Sequence, residues 1–159
     1  KLLRIGLSKG KTVITIEEEI EHVQAYCRLQ KKRYPDTFEV YWELDEAVKP
    51  CLTPKVIVQP LVENAIFHAV SGMDGEGTIW IRIRQSGDQV LITVEDNGFV
   101  PVDIERLNAI VTGEISDKGY GIRNVHQRIQ LHFGEYYGLR YDRREGGGVT
   151  ATINLPINQ

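Results

Sequence analysis

The first strong pattern along the chain is a stripe of positions with the spacing of an amphipathic helix over residues 16–34. The positions that trace this stripe are Ile16, Ile20, Val23, Tyr26, Cys27 and Gln30. Thr15 followed by Glu18 has the form of a capping box. Acidic side chains are concentrated in the first turns and basic ones in the last, an order that the helix dipole favours. The pattern predicts one helix that ends at Tyr34-Pro35-Asp36.

Stretches rich in β-branched and aromatic residues, several with a period of two, predict five strands. Their ranges are residues 38–44, 78–84, 89–95, 138–143 and 149–156. The second and third strands flank Ser86-Gly87-Asp88, which is a hairpin signal. The last two strands are joined by the glycine-rich residues 145–148.

Three further segments have helical spacing. Pro60 suits the first turn of a helix that runs to about Val70. Residues 101–111 and 121–133 carry apolar side chains at helical intervals, and Gly134 is suited to end the second of these helices.

The order of these elements decides the fold class. Helices and strands do not alternate regularly, as they would in a parallel α/β fold. The order predicts an α+β fold, a two-layer sandwich whose mixed, mostly antiparallel sheet is covered on one face by helices. Residues 1–35 are expected to lead into a domain at residues 36–159, within a single globular unit.

Composition and charge narrow the range of partners. The chain has 159 residues, 42% of them hydrophobic, and this is enough for one domain with a core of its own. Its net charge of -3 gives no broad electrostatic reason to bind nucleic acid or an anionic membrane. Cys27 and Cys51 lack metal-site spacing, and no apolar run is long enough to span a bilayer. We therefore expect no nucleic-acid partner and no direct membrane contact by this chain.

Three separated clusters contain the residues that could bind a ligand or a metal ion. They are Glu63-Asn64 with His68 on a helix, Asp96-Asn97-Gly98 at a strand end, and Gly119-Tyr120-Gly121 before a helix that starts at Ile122. An amide oxygen can bind Mg²⁺, a carboxylate can accept the amino hydrogen of adenine, and exposed N–H groups at a helix start can hold phosphate. Together the clusters favour a site for a metal-bound nucleotide.

Each cluster also has an ordinary structural explanation. Asp-Asn-Gly is common in turns, and Gly-x-Gly before a helix is a weak signal. An amide such as Asn64 in an apolar helix can equally make a structural hydrogen bond. His68 alone is more typical of a satisfied helix residue than of a ligand.

In combination, the clusters resemble the ATPase domain shared by histidine kinases, gyrase, Hsp90 and MutL, known as the GHKL or Bergerat fold. In detail they resemble the LytS/YesM-like sensor histidine kinases. Residues 59–68 (Gln-Pro-Leu-Val-Glu-Asn-Ala-Ile-Phe-His) are similar to the N box of that branch. Residues 94–98 are similar to its G1 box, and residues 119–125 with Arg128 to its G2 box. The similarity extends over nearly the whole chain.

The resemblance implies ATP and Mg²⁺ as cofactors. Asn64 would bind Mg²⁺, with Glu63 and His68 beside it in the catalytic site, and Asp96 would recognise adenine. The other implied nucleotide-binding residues are Asn97, Gly98, Gly119, Tyr120, Gly121, Ile122, Asn124 and Arg128, and His68 and Arg128 would contact phosphate. Residues 99–118 would form a lid that is poorly ordered without nucleotide, since residues 113–118 have little apolar content.

Three positions depart from the family pattern. Val100 replaces the second glycine of the G1 box, so the lid hinge is expected to be stiffer. Val149 stands where threonine is common, which would remove a hydroxyl near adenine. Pro60 stands where hydrolytic relatives carry a glutamate, which argues against direct attack by an activated water.

The implied reaction is transfer of the γ-phosphoryl group of Mg-ATP to a histidine. The family's acceptor lies in Pro-His-Phe, and none of the four histidines (His22, His68, His126 and His132) has that setting. We therefore expect the phospho-accepting dimerisation helices to precede Lys1.

The resemblance also implies the setting of the parent protein. A response regulator would receive the phosphoryl group, and the parent would be a homodimeric inner-membrane receptor with this domain in the cytoplasm. Two alternatives stay open at this stage, a nucleotide-binding pseudo-kinase module and a GHKL ATPase outside signalling.

Overall fold

The computed structural model describes residues 12–71, 75–98, 101–116 and 121–158 of the chain. Within these ranges there are four helices, seven strands and one 3₁₀ turn. In chain order they are β1 (Val13–Thr15), α1 (Ile16–Arg33), β2 (Phe38–Leu44), the 3₁₀ turn Glu46–Val48, β3 (Leu52–Pro54), α2 (Gln59–Val70), β4 (Gly77–Ser86), β5 (Gln89–Asp96), α3 (Ile104–Thr112), α4 (Ile122–Phe133), β6 (Gly138–Arg143) and β7 (Val149–Pro156).

Five of these strands form one sheet in the order β2-β4-β5-β7-β6. Strand β2 runs parallel to β4, with Phe38 opposite Gly77, and all other neighbours in the sheet are antiparallel. The predicted hairpin is β4–β5. The short strands β1 and β3 pair antiparallel as a separate ribbon. The prediction of an α+β fold with a mixed, mostly antiparallel sheet is confirmed.

The core lies between the helices and one face of the sheet. Alternate side chains of the central strands point into it and are almost fully buried; they are Ile79, Ile81, Ile83, Val90, Ile92 and Val94. Helix α4 contributes Ile122, Val125 and Ile129, each 0% exposed. A fully buried aliphatic side chain of this size contributes roughly 1.5–3 kcal/mol. The sheet and α4 are thus held together chiefly by apolar contacts.

The start of α2 is held by charged side chains from two other helices. Glu19 of α1 is 2% exposed, and its carboxylate accepts hydrogen bonds from the N–H groups of Val56, Ile57 and Val58 at 2.8–2.9 Å. Arg128 of α4 donates to the carbonyl oxygens of Lys55 and Val56. We call residues 55–58 with Glu19 and Arg128 the α2 clamp.

The clamp explains an unusual backbone conformation at Val56. This β-branched residue has a φ of 58°, in the left-handed region, at a cost of about 1–3 kcal/mol. A hydrogen bond to a charged group contributes about 1.5–3 kcal/mol, and the clamp supplies five of them. The hydrogen bonds therefore outweigh the strain.

Residues 101–116, which fall within the predicted lid, contain helix α3; the poor order of the lid without nucleotide stays a prediction. Asp103 caps the start of α3, and Gly113 ends the helix in the left-handed conformation, so both ends of α3 are defined by local signals. Its apolar face is buried through Leu107, Ile110 and Val111. The low apolar content of residues 113–118 does not extend back into this helix. Residues 99, 100, 117 and 118 lie outside the described part of the chain.

Candidate functional site

One face of α2 connects the clusters that the sequence singled out. Pro60, Asn64 and His68 are four residues apart and therefore share that face. A Cβ atom built on Gly121 would lie 3.6 Å from the Cβ of Pro60, so the start of α4 adjoins the first turn of α2. Asn64 lies about 6 Å further along the helix axis, and His68 about 6 Å beyond that.

The last turn of this face adjoins the end of β5. Asp96 is 3% exposed, and one of its carboxylate oxygens lies 3.1 Å from Nδ1 of His68. The other oxygen accepts a hydrogen bond from the N–H of Gly98 at 2.9 Å. Asn64 is thus placed between Gly121 on one side and Asp96 on the other.

The Asp96 carboxylate is fixed in direction and can still bind a ligand. Among the described residues, each of its two oxygens has one protein partner, and an ionised carboxylate offers about four lone-pair sites. A further N–H donor can therefore be accepted without displacing His68 or Gly98. This geometry suits recognition of an amino group.

Two glycines allow the backbone to pack closely around Asp96. A Cβ atom on Gly98 would lie 2.7 Å from the carbonyl oxygen of His68, and one on Gly148 would lie 1.8 Å from the carbonyl oxygen of Asp96. Side chains do not tolerate such contacts, so both positions require glycine. Gly148 precedes Val149, which pairs with Asp96 across the sheet.

Asn97 has a structural role in this arrangement. Its side-chain oxygen accepts the N–H of Thr78 at 2.7 Å, and its amide nitrogen donates to the carbonyl of Glu76 at 3.1 Å. These bonds tie the end of β5 to the start of β4. The side chain is therefore engaged with protein, and a contact of Asn97 with the nucleotide stays a prediction.

Arg128 donates hydrogen bonds to protein groups through all three of its guanidinium nitrogens. Its Nε donates to Asn124 at 2.8 Å, and both terminal nitrogens donate within the α2 clamp. Burial lowers the pKa of Arg128, and the nearby Glu19 opposes that shift. The guanidinium is thus used to hold residues 55–56, and Asn124 to orient it. These are the contacts that Arg128 makes with protein, and His68 contacts Asp96; the phosphate contacts of both residues stay predictions.

Glu63 and Asn64 are adjacent on α2, so their side chains leave the helix axis about 100° apart. Glu63 accepts a hydrogen bond from Gln59 at 3.1 Å and lines a groove of about 380 Å³ between α1 and α2, with Tyr26 and Phe67. Burial, and after it the negative charge of Glu63, raises the pKa of Tyr26. The role of Glu63 beside Asn64 in the catalytic site stays a prediction.

The start of α4 is suited to hold an anion through its backbone. Gly121 is the N-cap residue and, as a glycine, has no side chain to cap the helix. The side chain of Ile122 is fully buried, so an anion bound at this helix start would be held by backbone N–H groups. The predicted residues Gly119 and Tyr120, like Val100, lie outside the described residues.

Sequence reasoning missed Glu19. One signal could have identified it, because Glu19 falls on the apolar stripe of α1 between Ile16 and Val23, where a charge is out of place. A carboxylate at such a position needs partners, and residues 56–58 supply them.

Comparison with known families matches nearly all of the chain. Residues 52–159 match the family described as histidine kinase-, DNA gyrase B-, and HSP90-like ATPase. Residues 1–38 match a second family, described as histidine kinase.

Curated relatives are sensor proteins much longer than this chain. Sensor histidine kinase YesM of Bacillus subtilis (strain 168) is 34% identical over 155 residues, which is 98% of this chain and 26% of that protein. Sensor protein LytS of Staphylococcus haemolyticus (strain JCSC1435) is 29% identical over 146 residues, 90% of this chain and 25% of that protein. The chain therefore spans about a quarter of these relatives.

Solved structures share the fold. The nucleotide-free catalytic domain of histidine kinase ThkA superimposes with a TM-score of 0.69 at 22% identity, covering 92% of this chain and 97% of that domain. A structure of ThkA in complex with response regulator protein TrrA gives a TM-score of 0.65 at 21% identity, covering 92% of this chain and 42% of that one.

Proposed function

This chain belongs to the histidine kinase-, DNA gyrase B-, and HSP90-like ATPase family, and from that premise we propose that it is the ATP-binding catalytic domain of a sensor histidine kinase. The resemblance to LytS/YesM-like kinases predicted from the sequence is confirmed by the relatives. In the proposed reaction the γ-phosphoryl group of Mg-ATP passes to a histidine on a helical part of the parent protein.

One observation supports this proposal above the others. A single face of α2 carries Asn64 between the end of β5, where Asp96 is fixed, and the start of α4 at Gly121. Adenine would be recognised at the first of these places and phosphate at the second. Asn64 lies where a metal bound to the phosphates would need a protein ligand.

The residues present fit Mg²⁺. Asn64 is partly exposed, and its amide makes no hydrogen bond with any residue in the described ranges. Its oxygen is therefore available, and Mg²⁺ prefers one or two protein oxygens together with phosphates and water. When bound, the cation would neutralise charge on the phosphates.

The protein's own contribution is positioning. Asp96 would accept the amino hydrogen of adenine, and His68 and the Gly98 N–H would hold its carboxylate in place. The N–H groups at the start of α4 would hold phosphate oxygens. The attacking atom belongs to the substrate histidine, so no side chain of this chain has to act as a nucleophile.

The partners of the parent protein follow from the relatives. We infer that a response regulator accepts the phosphoryl group, as the solved complex of ThkA with TrrA suggests by analogy. We infer also that the parent is a homodimer whose accepting helices lie outside this chain, with a membrane-anchored sensor and a cytoplasmic catalytic domain. Among the described residues, no helix combines the length and apolarity needed to cross a bilayer.

Binding measurements on this chain test the proposal. Titration with a nonhydrolysable ATP analogue should give saturable binding that is much tighter with Mg²⁺ than with EDTA, and steady ATP turnover by the chain alone should be negligible because Pro60 replaces the hydrolytic glutamate. No binding would support a pseudo-kinase module instead. Sustained hydrolysis would support an ATPase outside signalling.

Asp96→Asn is expected to lower the affinity for the ATP analogue about tenfold, because it replaces a charged acceptor of the adenine amino group with a neutral amide. The preference for the adenine over the guanine nucleotide should fall in proportion. Competition between the two nucleotides measures this selectivity. Asp88→Asn, an exposed exchange in the β4–β5 turn, is the matched control. Unchanged selectivity in Asp96→Asn would place the adenine elsewhere.

A further inference from the structure

The α2 clamp holds two consecutive peptide groups from both ends. In the peptide that joins Lys55 and Val56, Arg128 binds the C=O and Glu19 binds the N–H. In the next peptide, Arg128 binds the C=O of Val56 and Glu19 binds the N–H of Ile57. A carboxylate from α1 and a guanidinium from α4 thus stand on opposite sides of the same segment of backbone.

The clamped segment leads directly into the helix of the candidate nucleotide site. Val58 is both the N-cap residue of α2 and the third N–H partner of Glu19. Ile57 and Val58 are 0% exposed, so the segment cannot shift without disturbing the core. Asn64 lies six residues further on, within two turns of the clamp. Its position is therefore set largely by where the clamp holds the start of α2.

The two charged residues of the clamp belong to helices in different parts of the chain. Arg128 belongs to α4, whose first residues adjoin Pro60 of α2. Glu19 belongs to α1, which precedes the ATPase-like region and lies within the part of the chain that matches the histidine kinase family. The clamp thus links α2, which carries Asn64, to α1, the helix that would connect this chain to the rest of a longer protein.

If the only role of these contacts were to start α2, charged side chains from two other helices would not be needed. A polar residue at position 58 could cap the helix locally, yet α2 has no such cap. A glycine at position 56 would adopt the left-handed conformation without strain, yet valine stands there. The conformation at Val56 therefore depends on charges that come from two other helices.

Resting on the proposed function, we propose that Glu19 and Arg128 are positioning residues for the metal-bound phosphates of ATP. They hold Asn64 in place through residues 55–58, and they make the affinity for Mg-ATP depend on the position of α1 relative to α2. Neither residue touches the nucleotide in this scheme.

The test compares a nonhydrolysable ATP analogue in Mg²⁺ and in EDTA by titration calorimetry. Glu19→Gln keeps the size of the side chain but sets an N–H₂ group against backbone N–H groups. Its affinity for the analogue in Mg²⁺ should fall about tenfold, the effect of one lost charge-assisted hydrogen bond. Its affinity in EDTA should stay close to that of the wild type, because adenine recognition at Asp96 does not depend on the clamp. Glu21→Gln, an exposed exchange on the same helix, should change neither value.

Arg128→Lys provides a second, milder variant. Lysine keeps the positive charge but cannot bind both carbonyl groups in the fork geometry of arginine. The loss should again be confined to the Mg²⁺-dependent affinity and be smaller than in Glu19→Gln. If Glu19→Gln does not fold, this variant decides the question.

The outcomes separate this inference from the proposed function. If the wild-type chain binds the analogue and the variants lose affinity equally in Mg²⁺ and in EDTA, or lose none, the positioning role is refuted while the proposed function stands. If the wild type itself does not bind, both are refuted.

Discussion

Asn64→Ala is expected to weaken binding of an ATP analogue in Mg²⁺ by more than about a hundredfold, while binding in EDTA changes little. The substitution removes the protein oxygen that we assign to the cation. Because the Asn64 amide makes no hydrogen bond within the described residues, the fold does not depend on it. Alanine is the better helix former by up to about 0.7 kcal/mol, so the free energy of unfolding should be unchanged or slightly higher.

Two further variants make this result specific. Gln127→Ala removes an exposed amide from α4 and should leave both affinities unchanged. Asn64→Asp keeps an oxygen that can bind Mg²⁺ and should retain part of the Mg²⁺-dependent affinity, whereas an amide needed only as a hydrogen-bond donor would not be replaced by aspartate. Persistent Mg²⁺ dependence in Asn64→Ala would show that another group binds the cation.

Elements with a complete local signal were predicted with accurate bounds. Residues 38–44, 138–143 and 149–156 were predicted as strands, and the structure has strands with those ends. The capping box at Thr15 and Glu18 is present, and α1 begins where it indicates. In each case the period and the flanking residues act over a few positions, so the sequence carries the full signal.

Elements that depend on distant partners were missed. Strands β1 and β3 have three residues each, too few for a visible period, and each becomes a strand only by pairing with the other. The parallel pairing of β2 with β4 joins residues 38 and 77, across the whole of α2. No local pattern records such a pairing.

The difference between local signals and contacts of distant residues also explains which features of the candidate site were predicted. The convergence of the clusters was foreseen because Asn64 and His68 share a helix face and Asp96 ends a strand. The roles of individual polar side chains were not, because they depend on contacts between distant residues. Arg128 binds the carbonyl of Lys55, 73 positions away, and His68 meets Asp96 across 28 positions. A sequence motif identifies the residue type at a position, but the fold determines which residue becomes its hydrogen-bond partner.

Gly148→Ala is expected to destabilise the domain by more than about 4 kcal/mol, a large share of the roughly 5–15 kcal/mol typical of a folded domain. The added Cβ would lie 1.8 Å from the carbonyl oxygen of Asp96 and 2.9 Å from the Cα of Asn97. Both neighbours are backbone atoms, so no rotamer change can relieve the contact, and β7 must move away from β5. Thermal or urea unfolding measures the loss, and the melting temperature should fall by roughly 10 °C or more.

Gly147→Ala separates this clash from the cost of backbone conformation. Gly147 and Gly148 have similar φ values of 109° and 104°, but a Cβ atom on Gly147 would meet nothing within 4 Å. Gly147→Ala should therefore cost only about 1–3 kcal/mol, the penalty for a side chain in a sparsely populated positive-φ region. The difference between the two variants is the energy needed to separate β7 from the end of β5. Since Asp96 lies at that contact, the folded fraction of Gly148→Ala should also bind the ATP analogue more weakly. Equal destabilisation by both variants would mean that the strands separate without cost, and the close packing around Asp96 would then not be what fixes its carboxylate.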